Sequence, residues 1–363
     1  MRTAYLILSH HKPAQVEALV GRILDLSPSG QVVVNYDSGA AKLPWNGVCP
    51  ERVHLLDPSP AVWGDWSTIE ASFRLLRFAH DVLDADWYVL ISGEDRPIVN
   101  LAEWERQLDM SGLDAALVGS DAGKPDAPIG RRANERQRRS ARYHHRWFLV
   151  PKIQNRHLRR VMWHLTALSQ FCNPLFSMEY FWRRDSWLIG VRRLRGGLPQ
   201  RWSIYMGSQW MALGRLGALA VLHADHAVVR HFRRTMLPDE AFFHTVLLNS
   251  DDLKIDSDRL LTYVPWAKGR ARTGPELPVQ GTTLVSKGGL YLRSEDFPDI
   301  RASGATFARK FDPSFDSHIV QLIDDWIDSS RSQQTDRPLR WTDEEAWQLA
   351  ESQDAFDDDQ RLQ

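Results

Sequence analysis

The chain has 363 residues, 43% of them hydrophobic and 25% charged, and a formal net charge of -1 at pH 7. This composition is typical of a soluble globular protein, and the near-zero charge argues against a general nucleic-acid binder, because affinity for a phosphate backbone requires a broad basic surface. The only cysteines are Cys49 and Cys172, so no disulfide framework is expected and a reducing compartment is favoured.

The beginning of the chain is too polar for a signal sequence. A short apolar run at residues 4–8 is followed by His10, His11 and Lys12. No stretch of the sequence reaches the roughly eighteen apolar residues of a membrane span. We therefore expect a cytoplasmic protein.

The first forty residues alternate between strand and helix patterns. Residues 4–9 predict a buried strand, residues 13–26 an amphipathic helix, and residues 31–37 a second strand. This order indicates a parallel βαβ unit, and such sheets bind ligands at the carboxyl ends of their strands. Asp37 lies at such an end and is a candidate ligand-binding residue. A plain Asp-Ser-Gly turn is the alternative.

A second helix is predicted after a short strand. Residues 53–56 have the strand pattern and residues 68–83 the helical one. Ser67 stands at the expected N-cap position, and Glu70 follows three residues later, which is a capping-box pattern. We expect Ser67 to cap this helix.

Residues 86–92 form the most convincing central strand, and they run directly into Gly93, Glu94 and Asp95. Many nucleotide-sugar transferases place an acidic metal-binding motif at the end of such a strand. We take Asp95 as a candidate donor-binding residue. Two alternatives remain open here: a metal site formed by Glu94 and Asp95, and a charged turn that binds nothing.

A basic segment extends from Gly130 to Arg146, with seven arginines and one glutamate. A run of this kind is typical of a solvated or phosphate-facing loop. Its positive charge would attract either an anionic donor substrate or anionic lipid. A peripheral contact with a membrane surface is therefore a further expectation.

Residues 204–213 pass from a turn into an apolar strand or helix. Gly207 permits a close approach of two backbones. Ser208 and Trp210 are candidates for binding a sugar by hydrogen bonding and by stacking on its ring. The alternative is a Gly-Ser turn in front of a buried tryptophan.

A carboxylate pair, Asp239 and Glu240, precedes an apolar run that begins at Phe242. Pro238 stands where a helix tolerates proline best, at its first position. We expect a helix that begins at Pro238 and holds a carboxylate at the mouth of a pocket. The helix dipole alone also favours acidic residues at a helix start, so this stretch does not establish a function by itself.

A cationic pair, Arg309 and Lys310, lies between Phe307 and Phe311. The two aromatic residues predict a hydrophobic floor that fixes the cations in place. If this stretch and Glu240 meet in the fold, one site contains a base and a clamp for an anionic leaving group.

The sequence contains no internal repeat and no linker that divides it. Residues 1–330 are expected to form one domain. Residues 331–363 are polar and rich in aspartate near their end, so a peripheral tail is expected there.

Seven segments in order resemble the core-2/I-branching β-1,6-N-acetylglucosaminyltransferases, which form glycosyltransferase family 14 together with the peptide O-xylosyltransferases. The segments are residues 4–10, 35–37, 63–67, 90–97, 207–210, 238–240 and 307–312. The resemblance implies a GT-A-like α/β fold with a mixed, mostly parallel sheet flanked by helices. It also implies a UDP-sugar donor, inversion at the anomeric carbon, and no metal or other cofactor.

The resemblance also implies roles for individual residues. Glu240 matches the catalytic base of the family and Lys310 the lysine that contacts the donor diphosphate. Counting back from Lys310 places Lys287 at a second family cation, and the acceptor region matches at Arg138 with Tyr143 as its anchor. The candidate donor-binding residues are thus Lys310, Lys287, Arg309, Asp37 and Asp95, and the candidate acceptor-binding residues are Arg138, Tyr143, Ser208 and Trp210.

The expected reaction is transfer of N-acetylglucosamine from a UDP-sugar to a hydroxyl of an acceptor glycan, with Glu240 as general base. Transfer of xylose to a hydroxyl is one alternative. A non-catalytic carbohydrate-binding protein on the same fold is the other.

Overall fold

The computed structural model describes residues 1–37, 50–122, 141–172, 175–181, 185–193, 198–199, 201–257, 260–264 and 291–332. Two predicted site residues, Lys287 and Arg138, lie outside these described residues. So does the predicted tail beyond residue 332.

The helices with both ends in the described residues are α1 (Pro13–Leu26), α2 (Trp66–Asp81), α3 (Leu101–Ser111), α4 (Arg156–Cys172), α5 (Arg215–Leu222), α6 (His226–Phe232), α7 (Phe242–Leu248), α8 (Phe297–Ala302) and α9 (His318–Ser332). Short 3-10 turns are formed by Pro50–Arg52, Pro238–Glu240 and Ser294–Asp296.

The strands are β1 (Thr3–Ser9), β2 (Gln31–Tyr36), β3 (Val53–Leu55), β4 (Trp87–Ser92), β5 (Arg96–Pro97), β6 (Ala115–Ala116), β7 (Gly119–Asp121), β8 (His145–Leu149), β9 (Phe176–Phe181), β10 (Ser186–Arg192), β11 (Tyr205–Gly207), β12 (Met211–Gly214), β13 (Ile255–Asp256), β14 (Thr262–Tyr263) and β15 (Phe307–Ala308).

Seven strands form the central sheet in the order β13-β6-β12-β4-β1-β2-β3. Strand β12 runs antiparallel to both of its neighbours, and the other adjacent pairs are parallel. The predicted strand, helix and strand at residues 4–37 are present as β1, α1 and β2. The predicted GT-A-like class, a mixed and mostly parallel sheet flanked by helices, is confirmed.

The central strands are buried on both faces. Every residue of β1 and β4 is buried, which is why both read as nearly continuous apolar runs. Side chains alternate between the faces, so Tyr5 and Ile7 belong to one apolar cluster while Ala4 and Leu6 belong to the other. Each such side chain stabilises the fold by about 1.5–3 kcal/mol relative to its exposed state.

Helix α2 begins two residues earlier than the sequence predicts. It starts at Trp66, and the side chain of Asp65 accepts a hydrogen bond from the backbone N–H of Ser67 at 2.9 Å. The Ser67 hydroxyl oxygen instead accepts a bond from the backbone N–H of Val62 at 3.0 Å. The predicted Ser67 cap was therefore wrong, because Asp65 offers the stronger acceptor at the true helix start.

A second, antiparallel sheet has the order β8-β10-β9. The sequence analysis did not predict these three strands. One face of this sheet, with Trp147 and Phe181, packs on Met236 and Leu237, just before the 3-10 turn at residues 238–240. Helix α4 covers the opposite face. This smaller sheet is called the accessory sheet below.

Backbone carbonyls of the basic segment hold the accessory sheet to the core. The indole N–H of Trp147 and the backbone N–H of Met236 both donate to the carbonyl of Arg142, at 2.9 and 3.1 Å. His231 Nε2 donates to the carbonyl of Tyr143 at 2.9 Å, and Arg193 donates to the carbonyl of His231 at 2.8 Å. These bonds fix the positions of Arg142 and Tyr143.

His231 is held in its neutral form. Burial, followed by the positive charge of Arg193, lowers the pKa of His231 from 6.5 to about 3. The unfolded chain binds a proton at this residue below pH 6.5, whereas the folded chain does not until far lower pH. The stability that His231 contributes is therefore present above pH 6.5 and is lost as the pH falls toward 3.

Strands β7 and β11 approach unusually closely at Gly207. A Cβ atom at this position would lie 2.1 Å from the backbone oxygen of Val118 and 2.6 Å from Nε2 of His244. The backbone oxygen cannot move aside without disturbing the strand. The close approach expected at Gly207 is thus present.

We predict that Gly207→Ala lowers the free energy of unfolding by about 1–3 kcal/mol, because the new methyl group overpacks a backbone contact. Gly21→Ala is the matched control, since nothing lies within 4 Å of a Cβ there and α1 should tolerate alanine or gain about 0.5–1 kcal/mol. Urea unfolding measures both. Equal stabilities for the two variants would contradict the close approach.

We predict that lowering the pH from 6.5 to 5 costs the wild-type protein roughly 1.5 kcal/mol more stability than it costs His231→Gln. Glutamine keeps an N–H donor for Tyr143 but does not titrate. Urea unfolding of both proteins at the two pH values gives the difference. A pH dependence that is the same in both proteins would show that His231 is not held neutral.

Candidate functional site

The candidate site lies at the carboxyl edge of the central sheet. Strands β4, β1 and β2 are parallel neighbours and end level with one another. The residues that follow them are polar, namely 10–12 after β1, Asp37 after β2 and 93–95 after β4. Parallel sheets bind ligands at this edge.

The carboxylate of Glu94 contacts two lysines and a histidine. Its oxygens lie 3.2 Å from Lys310 Nζ, 3.4 Å from His11 Nε2 and 3.7 Å from Lys12 Nζ. Burial alone would raise the pKa of Glu94, but the bond with His11 and the charges of Lys310, His11 and Arg309 outweigh burial and lower it far below its usual range. Glu94 is therefore ionised at any pH near neutrality.

The loop that carries Lys310 is fixed to this edge from several sides. Phe307 and Phe311 are buried, which confirms the predicted hydrophobic floor. The backbone N–H of Phe311 donates to the carbonyl of Glu94 at 3.1 Å, and the carbonyl of Lys310 accepts from Leu292 at 2.9 Å. The Lys310 side chain remains 22% exposed.

Arg309 and Asp95 were both predicted to bind the donor, but they bind each other. Arg309 Nε lies 3.2 Å from Asp95 Oδ1, and the Asp95 side chain is fully buried. The Asp95 carboxylate also accepts bonds from the backbone N–H and hydroxyl of Ser92, and burial raises its pKa to about 6. This pair holds the Lys310 loop against the end of β4, and a contact of Asp95 or Arg309 with the donor stays a prediction.

Trp210 and Ser208 are also occupied within the protein. The guanidinium of Arg309 lies over the Trp210 ring, 4.8 Å from its centre. The Ser208 hydroxyl accepts a bond from the backbone N–H of Trp210 at 3.3 Å. Both side chains remain partly exposed, so Trp210 is not the buried tryptophan of the alternative stated for this stretch. The assignment of Ser208 and Trp210 to sugar binding stays a prediction.

Glu240 lies at the end of a separate 3-10 turn. The sequence predicted one helix from Pro238, but the turn Pro238–Glu240 ends at Ala241 and helix α7 begins only at Phe242. The break lets the Glu240 side chain point away from the helix axis, with a third of its surface exposed.

Two side chains of the basic segment contact the Glu240 carboxylate. The hydroxyl of Tyr143 lies 3.5 Å and an Arg142 guanidinium nitrogen 3.8 Å from Glu240 Oε2. Tyr143 is buried and its carbonyl is held by His231, so its position beside Glu240 is fixed. The predicted acceptor residue Tyr143 therefore lies beside the predicted base.

Helix α2 links Glu240 to the carboxyl edge. Strand β3 is parallel to β2, so it also ends at the carboxyl edge. The chain that leaves β3 therefore enters α2 from this edge. The backbone N–H of Ala61 donates to Asp37 Oδ2 at 2.9 Å, which ties the approach to α2 to the end of β2. The Trp66 ring packs on the Phe242 ring with centroids 5.2 Å apart, two residues after Glu240. Glu240 thus lies at this edge.

Lys310 and Asp37 share a neighbour, His10. Burial and the charge of His11 lower the pKa of His10, while Glu94 and Asp37 raise it and Lys310 lowers it. The topology therefore brings Lys310, Asp37 and Glu240 to one edge of the sheet.

Within the described ranges, no group of three or more histidine, cysteine, aspartate or glutamate side chains is arranged to hold a metal ion. The carboxylates of Glu94 and Asp95 contact Lys310 and Arg309 instead. The metal site that the sequence left open at these two residues stays an alternative.

The sequence reasoning missed His11 and Lys12 as site residues. The signal for both was present, because they follow a buried parallel strand, as Asp37 does. Arg142 directly precedes the predicted anchor Tyr143, and its place beside Glu240 depends on the accessory sheet.

Comparison with known proteins identifies the family. The family model described as "Branch: Core-2/I-Branching enzyme" matches residues 3–281. The Drosophila melanogaster protein "Xylosyltransferase oxt" is 29% identical over 150 residues, and a Ciona intestinalis xylosyltransferase is 30% identical over 143 residues. These alignments cover 39% and 38% of this chain but only 16% of each relative.

A solved structure of mouse xyloside xylosyltransferase 1 in its apo form matches with a TM-score of 0.32 and 11% identity, over 73% of this chain and 89% of that chain. The family model extends over most of the chain, including the sheet edge with Glu94 and the turn with Glu240. The chain belongs to the Core-2/I-Branching enzyme family, which is a family of glycosyltransferases.

Proposed function

We propose that the protein is an inverting, metal-independent glycosyltransferase. It moves N-acetylglucosamine from a UDP-sugar to a hydroxyl of an acceptor glycan. Family membership supports transfer from a nucleotide sugar. The observation that carries the proposal is the position of a partly exposed carboxylate, Glu240, at the same sheet edge as the ammonium group of Lys310.

Glu240 acts as the general base. As the acceptor oxygen attacks the anomeric carbon, its proton passes to the Glu240 carboxylate, the new glycosidic bond forms, and the bond to UDP breaks. One attack from the face opposite UDP inverts the configuration. General-base assistance of this kind contributes roughly 10²–10⁴ in rate.

Arg142 and Tyr143 support this role. The positive charge of Arg142 lies 3.8 Å from Glu240 and favours its ionised form, which is the form that accepts a proton. The Tyr143 hydroxyl contacts the same oxygen and restricts the rotation of the carboxylate. The other oxygen, Oε1, is the one we assign to the acceptor.

The departing UDP gains negative charge, which fixed cations must neutralise if no metal does. Lys310 is the first such cation, and Lys12 and His11 are its neighbours around Glu94. Their shared contact with Glu94 orders them before the donor arrives, so little reorganisation remains during the reaction. Each cation stabilises the leaving group by about 2–4 kcal/mol in a partly desolvated site.

Xylose is the second candidate donor sugar, because the similar proteins from Drosophila and Ciona are named xylosyltransferases. The roles of Glu240 and Lys310 are the same for either sugar. UDP release from UDP-N-acetylglucosamine and from UDP-xylose, measured side by side without acceptor, distinguishes the two donors.

We predict that Glu240→Gln reduces turnover by about 10²-fold or more while UDP binding stays unchanged, because the amide keeps the shape but accepts no proton. Turnover is measured as UDP release in the presence of acceptor, and UDP binding by calorimetry. Glu103→Gln, on the exposed surface of α3, is the matched control and should behave as wild type. Wild-type turnover in Glu240→Gln would remove this residue from the base role.

We predict that Lys310→Ala weakens UDP binding by about tenfold or more, because one charge-assisted contact with the diphosphate is lost. Calorimetry in the presence of EDTA measures the affinity, and Lys254→Ala on the surface is the control. An unchanged affinity of Lys310→Ala for UDP would show that Lys310 does not contact the diphosphate. Binding that disappears in EDTA and returns with Mn²⁺ would contradict the metal-independent mechanism.

A further inference from the structure

Helix α4 has an apolar stripe that no described element covers. Its inner side packs on strand β9 of the accessory sheet, with Met162 buried against Met178 and Trp187. The stripe on its outer side is formed by four residues that are 42–57% exposed: Leu158, Val161, Leu165 and Leu168. Their spacing places them along one side of the helix. Four large apolar side chains exposed together indicate an interaction surface.

The accessory sheet extends this apolar surface. Phe148 on β8 and Val191 on β10 are both more than two-fifths exposed. The strand register places them on the face of the sheet that α4 covers, because Ile189 of that face pairs with Phe148. The guanidinium of Arg146 lies over the Phe148 ring at 5.3 Å. Apolar and cationic side chains therefore lie side by side on the face of the accessory sheet that α4 covers.

Basic side chains lie next to the stripe. Arg156, His157, Arg160 and His164 occupy the adjoining side of α4 and are exposed. Helix α4 itself contains three arginines and no acidic residue, whereas the whole chain has a net charge of -1. Positive charge is thus concentrated beside the apolar stripe.

We propose that α4 lies flat in the surface of a lipid bilayer that contains anionic lipids. A helix with an apolar stripe beside a basic face is the form that inserts between headgroups and acyl chains. The basic side chains attract the anionic headgroups, and the apolar stripe enters the boundary below them. In the described part of the chain, no helix is long and apolar enough to cross a membrane.

The charge distribution favours a lipid surface over a second copy of the chain. The spacing of the four stripe residues also suits a helix pair between two copies. That pairing would bring two helices with three arginines and no acidic residue each into contact, and like charges repel. An anionic bilayer complements the same charges.

The proposed orientation leaves the candidate site open. Helix α4 covers one face of the accessory sheet, and the opposite face, with Trp147 and Phe181, packs toward the turn that carries Glu240. A membrane on the α4 side therefore lies across the sheet from Glu240.

Co-sedimentation with vesicles tests the proposal. Wild-type protein is mixed with vesicles of phosphatidylcholine alone or of phosphatidylcholine with an equal amount of phosphatidylglycerol. We expect binding to the anionic vesicles only, and weaker binding at high salt. The double variant Arg156→Glu/Arg160→Glu should bind at least about tenfold more weakly, because two attractions become repulsions.

The apolar stripe is tested with Leu165→Glu, which should also reduce binding about tenfold. Leu216→Glu is the matched control, since Leu216 is a similarly exposed leucine on α5 and should leave binding unchanged. Thermal unfolding checks that all variants fold, and light scattering gives their oligomeric state.

Three results would overturn the proposal. The first is the absence of wild-type binding to anionic vesicles. The second is equal binding by wild type and Leu165→Glu. The third is a wild-type dimer that Leu165→Glu converts to a monomer, since the stripe would then contact a second copy.

Discussion

The candidate site depends on one carboxylate, Glu94, placed by the strand that precedes it. Strand β4 is buried on both faces, so its end is fixed, and Glu94 follows that end directly. Its charge holds Lys310, His11 and Lys12 close to one another. The ammonium groups of Lys310 and Lys12, both within 4 Å of this carboxylate, would repel each other without a shared anion. The rigid sheet thus determines the arrangement of the cationic groups.

The two halves of the site are held by different means. The Lys310 loop is fixed by buried Phe311 and by the pair Arg309–Asp95, whereas Glu240 depends on the accessory sheet through Arg142. In the proposed reaction the donor binds at the central sheet and the base is held from the accessory sheet, a division that suits a two-substrate reaction.

Much of the fold was predictable from the sequence, because the runs at residues 4–9 and 86–92 are apolar and the helix at 13–26 is strongly periodic. The prediction failed where tertiary contacts decide the outcome. Asp95 reads as a surface ligand, but its burial depends on Arg309, which is far away in the sequence. The accessory sheet carries too many exposed apolar and basic residues to show a strand alternation. Lys287 and Arg138 lie outside the described residues, so their assignments stay predictions.

The central claim is that Glu240 and Lys310 serve the same bound donor at the carboxyl edge of the sheet. The most direct measurement is a crystal structure of the protein with UDP and an acceptor glycan bound. We expect a diphosphate oxygen in hydrogen-bond contact with Lys310 Nζ and an acceptor hydroxyl in contact with the Glu240 carboxylate. A nucleotide bound at another surface, with Lys310 still paired only to Glu94, would contradict it.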